Sequence, residues 1–244
     1  MRFVPIKTVD QLDLQALHRV RDRLVSRRTG VINQLRAFLL ERGVAPRTGR
    51  RPLARLLPAI LEEDGNGLST RMREILVRLQ QEWHDLDTAL RRADREIEAI
   101  ANADAACRRL LEIPGIGPLG ATAIVASIGH GHGFRKGRDF AAWLGLVPRQ
   151  HSSGGKPTLL GISKAGNSFL RRLLIHGARS ACLHLHRQRH ALGRWIDTLE
   201  HRAHRNVVAV ALANKLARIA WAVLMRGESY QPERLAIAPP HAAV

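Results

Sequence analysis

The sequence is short of aromatic residues, cysteine and negative charge, and it has no long uninterrupted apolar run. Aromatics make up 4% of its 244 residues. With Leu, Ala and Arg abundant in their place, composition favours helices over sheets. The two cysteines, Cys107 and Cys182, sit in apolar helical surroundings without CxxC spacing. This predicts a reduced, cytoplasmic chain and argues against a disulfide framework or a zinc site. The N-terminal MRFVPIKTVD has no apolar signal core. The most apolar stretch, Asn206 to Met225, is broken by Asn214, Lys215 and Arg218, so neither a membrane span nor a membrane partner is expected.

What is present is positive charge and enough apolar material for a core. Apolar residues reach 45%, which excludes general disorder. Thirty-nine Lys/Arg oppose 21 Asp/Glu, giving a net charge of +18. Such an excess points to a polyanion, nucleic acid first and an anionic membrane surface second. Residues 1–105 carry 19 cations against 15 acids, whereas residues 106–244 carry 20 against 6. The second part is the expected polyanion binder.

Thr8 or Asp10 can cap a first helix that runs to about Glu41, with Gly43 as the stop. Leu17, Val20, Leu24, Val31, Leu35 and Phe38 mark its apolar stripe. A basic turn (45–52), a short helix near 53–61 and an acidic break (62–67) follow. From Met72 through Leu76, Leu79, Trp83, Leu86, Leu90, Ala93 and Ile97 to Ile100, apolar residues alternate steps of four and three. That is the seam of a coiled coil. Its partner is either the first helix, as an antiparallel hairpin, or a second chain, which would make a homo-oligomer. An ordinary long helix packed on a globular body is the plainer alternative.

Residues 110–129, LLEIPGIGPLGATAIVASIG, read as helix, PGIG turn, helix. Gly115 and Gly117 there either make a structural turn between core helices or, as in a helix-hairpin-helix element, bring backbone N–H groups to a phosphate. Residues 129–137, GHGHGFRKG, predict a flexible loop, and His130 and His132 lack the carboxylate or thiol a metal site needs. No metal site is assigned.

The most informative stretch is Leu144 to Arg172, LGLVPRQHSSGGKPTLLGISKAGNSFLRR. It gathers Ser152, Ser153, Lys156, Ser163 and Lys164, then enters a helix with Leu170, Leu173, Leu174, Gly177, Ala181 and Cys182 on its buried side. Arg172, His176 and Arg179 line another face. Two readings of the Ser-Ser-Gly-Gly-Lys segment stay open. Backbone amides and Lys156 hold a phosphate, or a serine attacks a phosphodiester while nearby cations stabilise the phosphorus oxygens. Lys164, Arg171 and Arg172 are candidate phosphate contacts, with solvated surface charge as the alternative for each. A helix over about 205–225 buries Val208, Leu212, Leu216, Ile219 and Val223, and the tail from Gly227 is expected to be loose.

In order along the chain stand the heptad helix, L-x-x-I-P-G-I-G-x-x-x-A, F-R-x-x-R-x-F-A-A-W-L-G-L-V-P, S-S-G-G-K and S-K-A-G-N-x-x-L-R-R. This series resembles the insertion-sequence-110 family of bacterial transposases over nearly the whole chain. The resemblance implies a DNA recombinase guided by a structured RNA. In that family an N-terminal RuvC-like domain supplies four acidic residues that bind magnesium. A C-terminal domain supplies a serine that bonds covalently to a DNA 5′ phosphate. The family serine matches Ser153, followed by Gly154, with Ser152 as the close alternative and Ser163 behind both. The start, MRFVPIKT, resembles the linker after the acidic domain, and Asp10, Asp13 and Asp22 do not replace the quartet. The expectation is therefore a truncated copy that needs a partner acidic domain and is inactive alone. No cofactor belongs to this chain, and magnesium is expected only with that domain.

The expected architecture is mainly α. A helical linker and coiled-coil stalk (1–105) precede a compact helical transposase domain with a helix-hairpin-helix-like element and at most a short β-hairpin (106–227), then a flexible tail (228–244). The expected function is DNA transposition with DNA and guide RNA as partners. A non-catalytic helix-hairpin-helix nucleic-acid-binding protein is the alternative.

Overall fold

The computed structural model describes residues 6–63, 65–153, 156–186 and 190–232, without the side chains of 152, 153, 156 and 157. Among the described residues the chain is helical apart from one two-stranded antiparallel sheet. It divides into two compact units, Ala16–Glu96 and the described residues on either side of that segment.

The Ala16–Glu96 unit is built from parts of α1 (Val9–Leu40) and α3 (Thr70–Ala103), together with α2 (Arg50–Glu62). α1 starts where expected. Thr8 Oγ1 accepts from Gln11 N at 3.2 Å and Thr8 N donates to Gln11 Oε1 at 3.0 Å, so two donors at the helix start are satisfied reciprocally. At its other end Gly43 N donates to Leu40 O and Val44 N to Leu39 O, each at 3.0 Å.

The α3 seam is the buried face. Leu76, Trp83, Leu86, Leu90, Ala93 and Ile97 are each 5% exposed or less, apart from Ala93 at 6%. α1 lies antiparallel to α3, since Arg21 pairs with Asp94, Arg28 with Asp87 and Arg27 with Glu82. Val31, Ile32, Leu35 and Leu39 share one cluster with Leu76, Trp83 and Leu86, and α2 adds Leu53, Leu57 and Ile60. Over this stretch α1 and α2 cover the seam.

One expectation for α1 fails. Val20 is 46% exposed, and His18 is buried at 3%. The inward face here runs through a position that apolar counting skips, and the imidazole there is held in its neutral form, which costs far less to bury than the charged one. Burial, and after it the neighbouring Arg21 charge, lowers the His18 pKa to about 4. Arg73 closes the α2–α3 connection: its guanidinium donates to the carbonyls of Ile60, Leu61 and Glu63 and to Asn66 Oδ1.

The second unit contains α4 (Ala105–Leu111), α5 (Pro118–Ile128), α6 (Gly137–Trp143), α7 (Ser168–His184), α8 (Ala191–Glu200) and α9 (Arg205–Arg226). Asp104 caps α4, accepting from Cys107 N at 2.6 Å, and Asn167 caps α7, accepting from Leu170 N at 3.1 Å. α9 is long and apolar enough to cross a membrane. Its apolar residues, Val208, Leu212, Leu216, Ala220 and Leu224 among them, instead pack with Leu110, Ile124, Phe140 and Leu174 in one core.

The glycine-rich segment 129–137 is an ordered turn rather than a flexible loop. Gly131 N bonds Ile128 O, Phe134 N bonds Gly131 O, and Trp221 Nε1 reaches over to the same Gly131 carbonyl at 3.1 Å. Phe134 packs with Phe140 and Trp143, which a sequence pattern of alternating Gly and His conceals. The start of the tail is likewise held, not loose: Tyr230 N and Ser229 Oγ donate to the Glu112 carboxylate at 2.9 and 3.2 Å. Residues 233–244 lie outside the described part.

Candidate nucleic-acid interface

The Ser-Ser-Gly-Gly-Lys segment is the end of a β-hairpin. β1 (Pro148–Ser153) pairs antiparallel with β2 (Lys156–Ile162), with Gln150 opposite Leu159, Ser152 opposite Pro157 and Ser153 opposite Lys156. The register leaves Gly154–Gly155 as a two-residue link. The candidate residues Ser152, Ser153 and Lys156 are therefore placed by backbone register, and their side chains lie outside the described part. A bulge between Pro148 and Gln150 marks the hairpin base, where Ser163 N bonds Val147 O at 2.9 Å.

The next segment, Ser-Lys-Ala-Gly-Asn, is locked against the end of α6. Lys164 N donates to Gly145 O at 3.1 Å, and Arg171 Nη1 donates to both Leu144 O (2.9 Å) and Ala165 O (2.8 Å). A Cβ at Gly166 would run into the Trp143 carbonyl, so only glycine permits this approach. Lys164 itself has φ 56 and an exposed side chain. The candidates thus differ in their surroundings. Lys164 is held on a stiff, strained turn facing solvent, whereas Arg171 already clamps two carbonyls from the start of α7. Arg172 is exposed with its guanidinium 5.4 Å from the Phe169 ring, and His176 and Arg179 continue its exposed stripe.

The two glycines of the PGIG turn also part company. Gly115 has φ +90, and a Cβ there would meet Gly177 O of α7 at 2.6 Å. A Cβ on Gly177 would in turn strike the Gly115 carbonyl. Gly115 is thereby committed to a backbone crossing between the turn and α7. Gly117, by contrast, is exposed, has nothing within 4 Å of its Cβ position, and precedes Pro118 at the start of α5. Of the pair, Gly117 is the one open to a phosphate.

Among the described residues no three His, Cys, Asp or Glu side chains gather as metal ligands. The described residues therefore do not supply a donor set for magnesium. The rings of His130 and His132 stand 6.2 Å apart. Cys107 is fully buried, and burial, then Asp104, pushes its thiol up to about 12, so it is neither nucleophile nor ligand.

Pattern reading missed a wide groove of about 1440 Å³. It lies between the start of α6, the base of the hairpin, α8, α9 and the segment after α9. Six cations line it, Lys136, Arg138, Lys164, Lys215, Arg218 and Arg226, against one acid, Glu228. Lys215 Nζ sits 4.7 Å from the Trp195 ring centroid. Burial, then the Arg218 charge, lowers the Lys215 pKa. The available signal was the pair of cations three residues apart inside the otherwise apolar 206–225 run.

A family model described as Transposase IS116/IS110/IS902 family matches residues 107–193, which span the PGIG turn, the hairpin and α7. The chain is 47% identical over 233 residues to a probable family 20 transposase of Pseudomonas aeruginosa, covering 95% of this chain and 69% of the relative. It is 46% identical to the transposase for insertion sequence element IS1111A of Coxiella burnetii (95% of this chain, 64% of the relative). It is 44% identical to that for IS1328 of Yersinia enterocolitica (93% and 67%). The chain thus spans about two thirds of the length of these curated relatives. With identity of this order along nearly its whole length, the chain belongs to the IS116/IS110/IS902 family of transposases.

Proposed function

We propose that this chain handles DNA in the transposition of an insertion sequence, and that Ser153 is its nucleophile, with Ser152 as the alternative. The observation that supports the reading is the hairpin register. It sets Ser153 opposite Lys156 across a Gly-Gly link within the family domain. Lys164 stands exposed on the stiff turn just beyond the hairpin base. In the proposed step the serine oxygen attacks phosphorus. A serine–phosphorus bond forms while the bond to the DNA 3′ oxygen breaks; the serine hydroxyl gives up its proton and the leaving 3′ oxygen takes one up, through water, so no net proton is gained or lost. Cations beside the hairpin stabilise charge on the phosphorus oxygens without a proton transfer of their own.

The remaining parts of the proposal concern partners. Gly117, Lys164 and Arg172 contact phosphates, and a structured RNA guides the choice of target. The acidic residues that hold magnesium come from the RuvC-like domain of a full-length family member paired with this chain. The setting is the cytoplasm. A purified chain should retard DNA and structured RNA in a gel, with affinity falling steeply as salt rises. Absence of binding to either at low salt overturns the reading. Mixed with a full-length family member whose own serine is replaced, the chain should form a covalent protein–DNA adduct. Ser153→Ala should abolish it, and an adduct that survives moves the nucleophile to Ser152.

A non-catalytic nucleic-acid-binding role is the second reading, favoured by the open Gly117 turn and by the absence of a metal donor set among the described residues. It predicts nucleic-acid binding with no adduct under any mixing.

A further inference from the structure

We infer that the groove between the hairpin base and α9 is a binding site for single-stranded DNA, resting on the reading of the chain as a nucleic-acid-handling protein. Three features carry this. The first is charge: six cations and one acid make a wall that a polyanion would neutralise. The second is the setting of Lys215. Its ammonium is half-buried over Trp195, beside Arg218, and takes part in none of the ion pairs among the described residues. A half-buried cation partnered only by a ring face is less favourable than one with an anion, and a phosphate seated between Lys215 and Arg218 supplies that anion.

The third feature is the floor. Val207 is 59% exposed and Leu160 47% exposed, and both face the groove together with Trp195 and Tyr230. Duplex DNA presents phosphates and sugars outward and hides its bases, so it cannot use an apolar floor. A single strand can turn its bases onto that floor while its phosphates stay on the cationic wall, the arrangement common to strand-binding grooves. The volume exceeds the ~300–1,000 Å³ usual for small-molecule pockets, which suits a polymer segment of more than one nucleotide.

The experiment is fluorescence anisotropy of the full chain with labelled 12-mer oligo-dT, the matching oligo-U and a 12-base-pair duplex, for wild type and the Lys215→Gln/Arg218→Gln double variant. The wild type should bind oligo-dT at least as tightly as oligo-U. The double variant should weaken oligo-dT at least tenfold and flatten its log–log salt slope by about 1.4, two contacts at ~0.7 each. Duplex affinity should stay within about threefold, which also reports that the variant is folded. If the double variant fails to fold, Arg218→Glu at an exposed position carries the same test. Oligo-dT affinity unchanged by these variants, or loss of strand and duplex alike in a folded variant, overturns the groove assignment. Oligo-U bound more tightly than oligo-dT makes the occupant RNA and overturns the assignment to DNA. Failure to bind any of the three probes defeats the nucleic-acid reading itself, and the groove assignment with it.

Discussion

Replacing Gly177 by Ala tests whether packing or local propensity governs α7. Gly177 lies in mid-helix, where glycine costs roughly 1 kcal/mol relative to alanine, so local propensity alone says the substitution stabilises. Tertiary geometry says the opposite. The added methyl points at the Gly115 carbonyl, which belongs to backbone in the PGIG turn rather than to a side chain that can swing away. Ordinary carbon–oxygen contacts lie at about 3.3–3.6 Å. The turn must therefore retreat by more than an ångström or α7 must shift, and either change loosens the contact between two core elements. Overpacking of this kind costs ~1–3 kcal/mol or more. Against rigid backbone the upper end applies, so we expect a net loss of about 2–3 kcal/mol. For a unit of this size that lowers Tm by roughly 4–12 °C. Gly30→Ala is the matched control: also mid-helix, in α1, but with nothing within 4 Å of the new methyl. It should gain ~0.5–1 kcal/mol. Thermal and urea unfolding followed by circular dichroism reads both. If Gly177→Ala is neutral or stabilising, the crossing does not constrain the fold and the reasoning fails.

His18 has its pKa lowered to about 4, so its burial contributes fully above about pH 6.5 and is lost as pH falls toward 4. The loss should approach ~3 kcal/mol, and the wild-type minus His18→Leu difference in urea midpoint between pH 7.5 and 4.5 checks it. Cys107, with its thiol pushed up to about 12, should resist a thiol reagent at pH 8 until the chain is unfolded. Native protein that loses both thiols quickly would contradict this. Asp87 accepts from Arg28 and Arg50 at 2.9 and 3.3 Å with 21% of its side chain exposed, so Asp87→Asn should cost about 1 kcal/mol at low salt and less at 1 M. Arg171→Lys should destabilise by ~1–2 kcal/mol, because a single ammonium on a flexible stem replaces a planar group spanning the Leu144 and Ala165 carbonyls. Full stability in that variant would show that the clamp contributes nothing.

Much of the scaffold was legible because local rules govern it. Thr8 and Asn167 cap helices where short polar side chains precede apolar periodicity. Six of the nine α3 seam residues are buried and Met72, Leu79 and Ile100 are partly buried, because a three-four alternation keeps one side of a helix inward whatever covers it. Less was legible where a contact joins distant residues. Val20 and His18 exchange the expected roles because the partner face, not hydrophobicity alone, selects the inward residue. The Gly-His turn is ordered by Trp221, about ninety positions away, and no local pattern announces that bond. In the candidate interface, the sequence offered Lys164 and Arg171 the same two readings, and only the packed chain separates them: Lys164 is exposed, whereas Arg171 holds two carbonyls in place.

Sequence by itself determined a basic, mainly helical chain, its helix starts and stops, the α3 seam and the family to which the Ser-Ser-Gly-Gly-Lys segment belongs. All of these depend on residues near one another along the chain or on charge summed over it. Tertiary structure alone decided that α1 covers the seam over residues 16–96, that Gly115 is consumed by Gly177 while Gly117 stays open, and that Lys215 and Arg218 join Lys136 and Lys164 around one groove. Those outcomes depend on which distant backbones approach and which cations converge, and only the packed chain sets such distances.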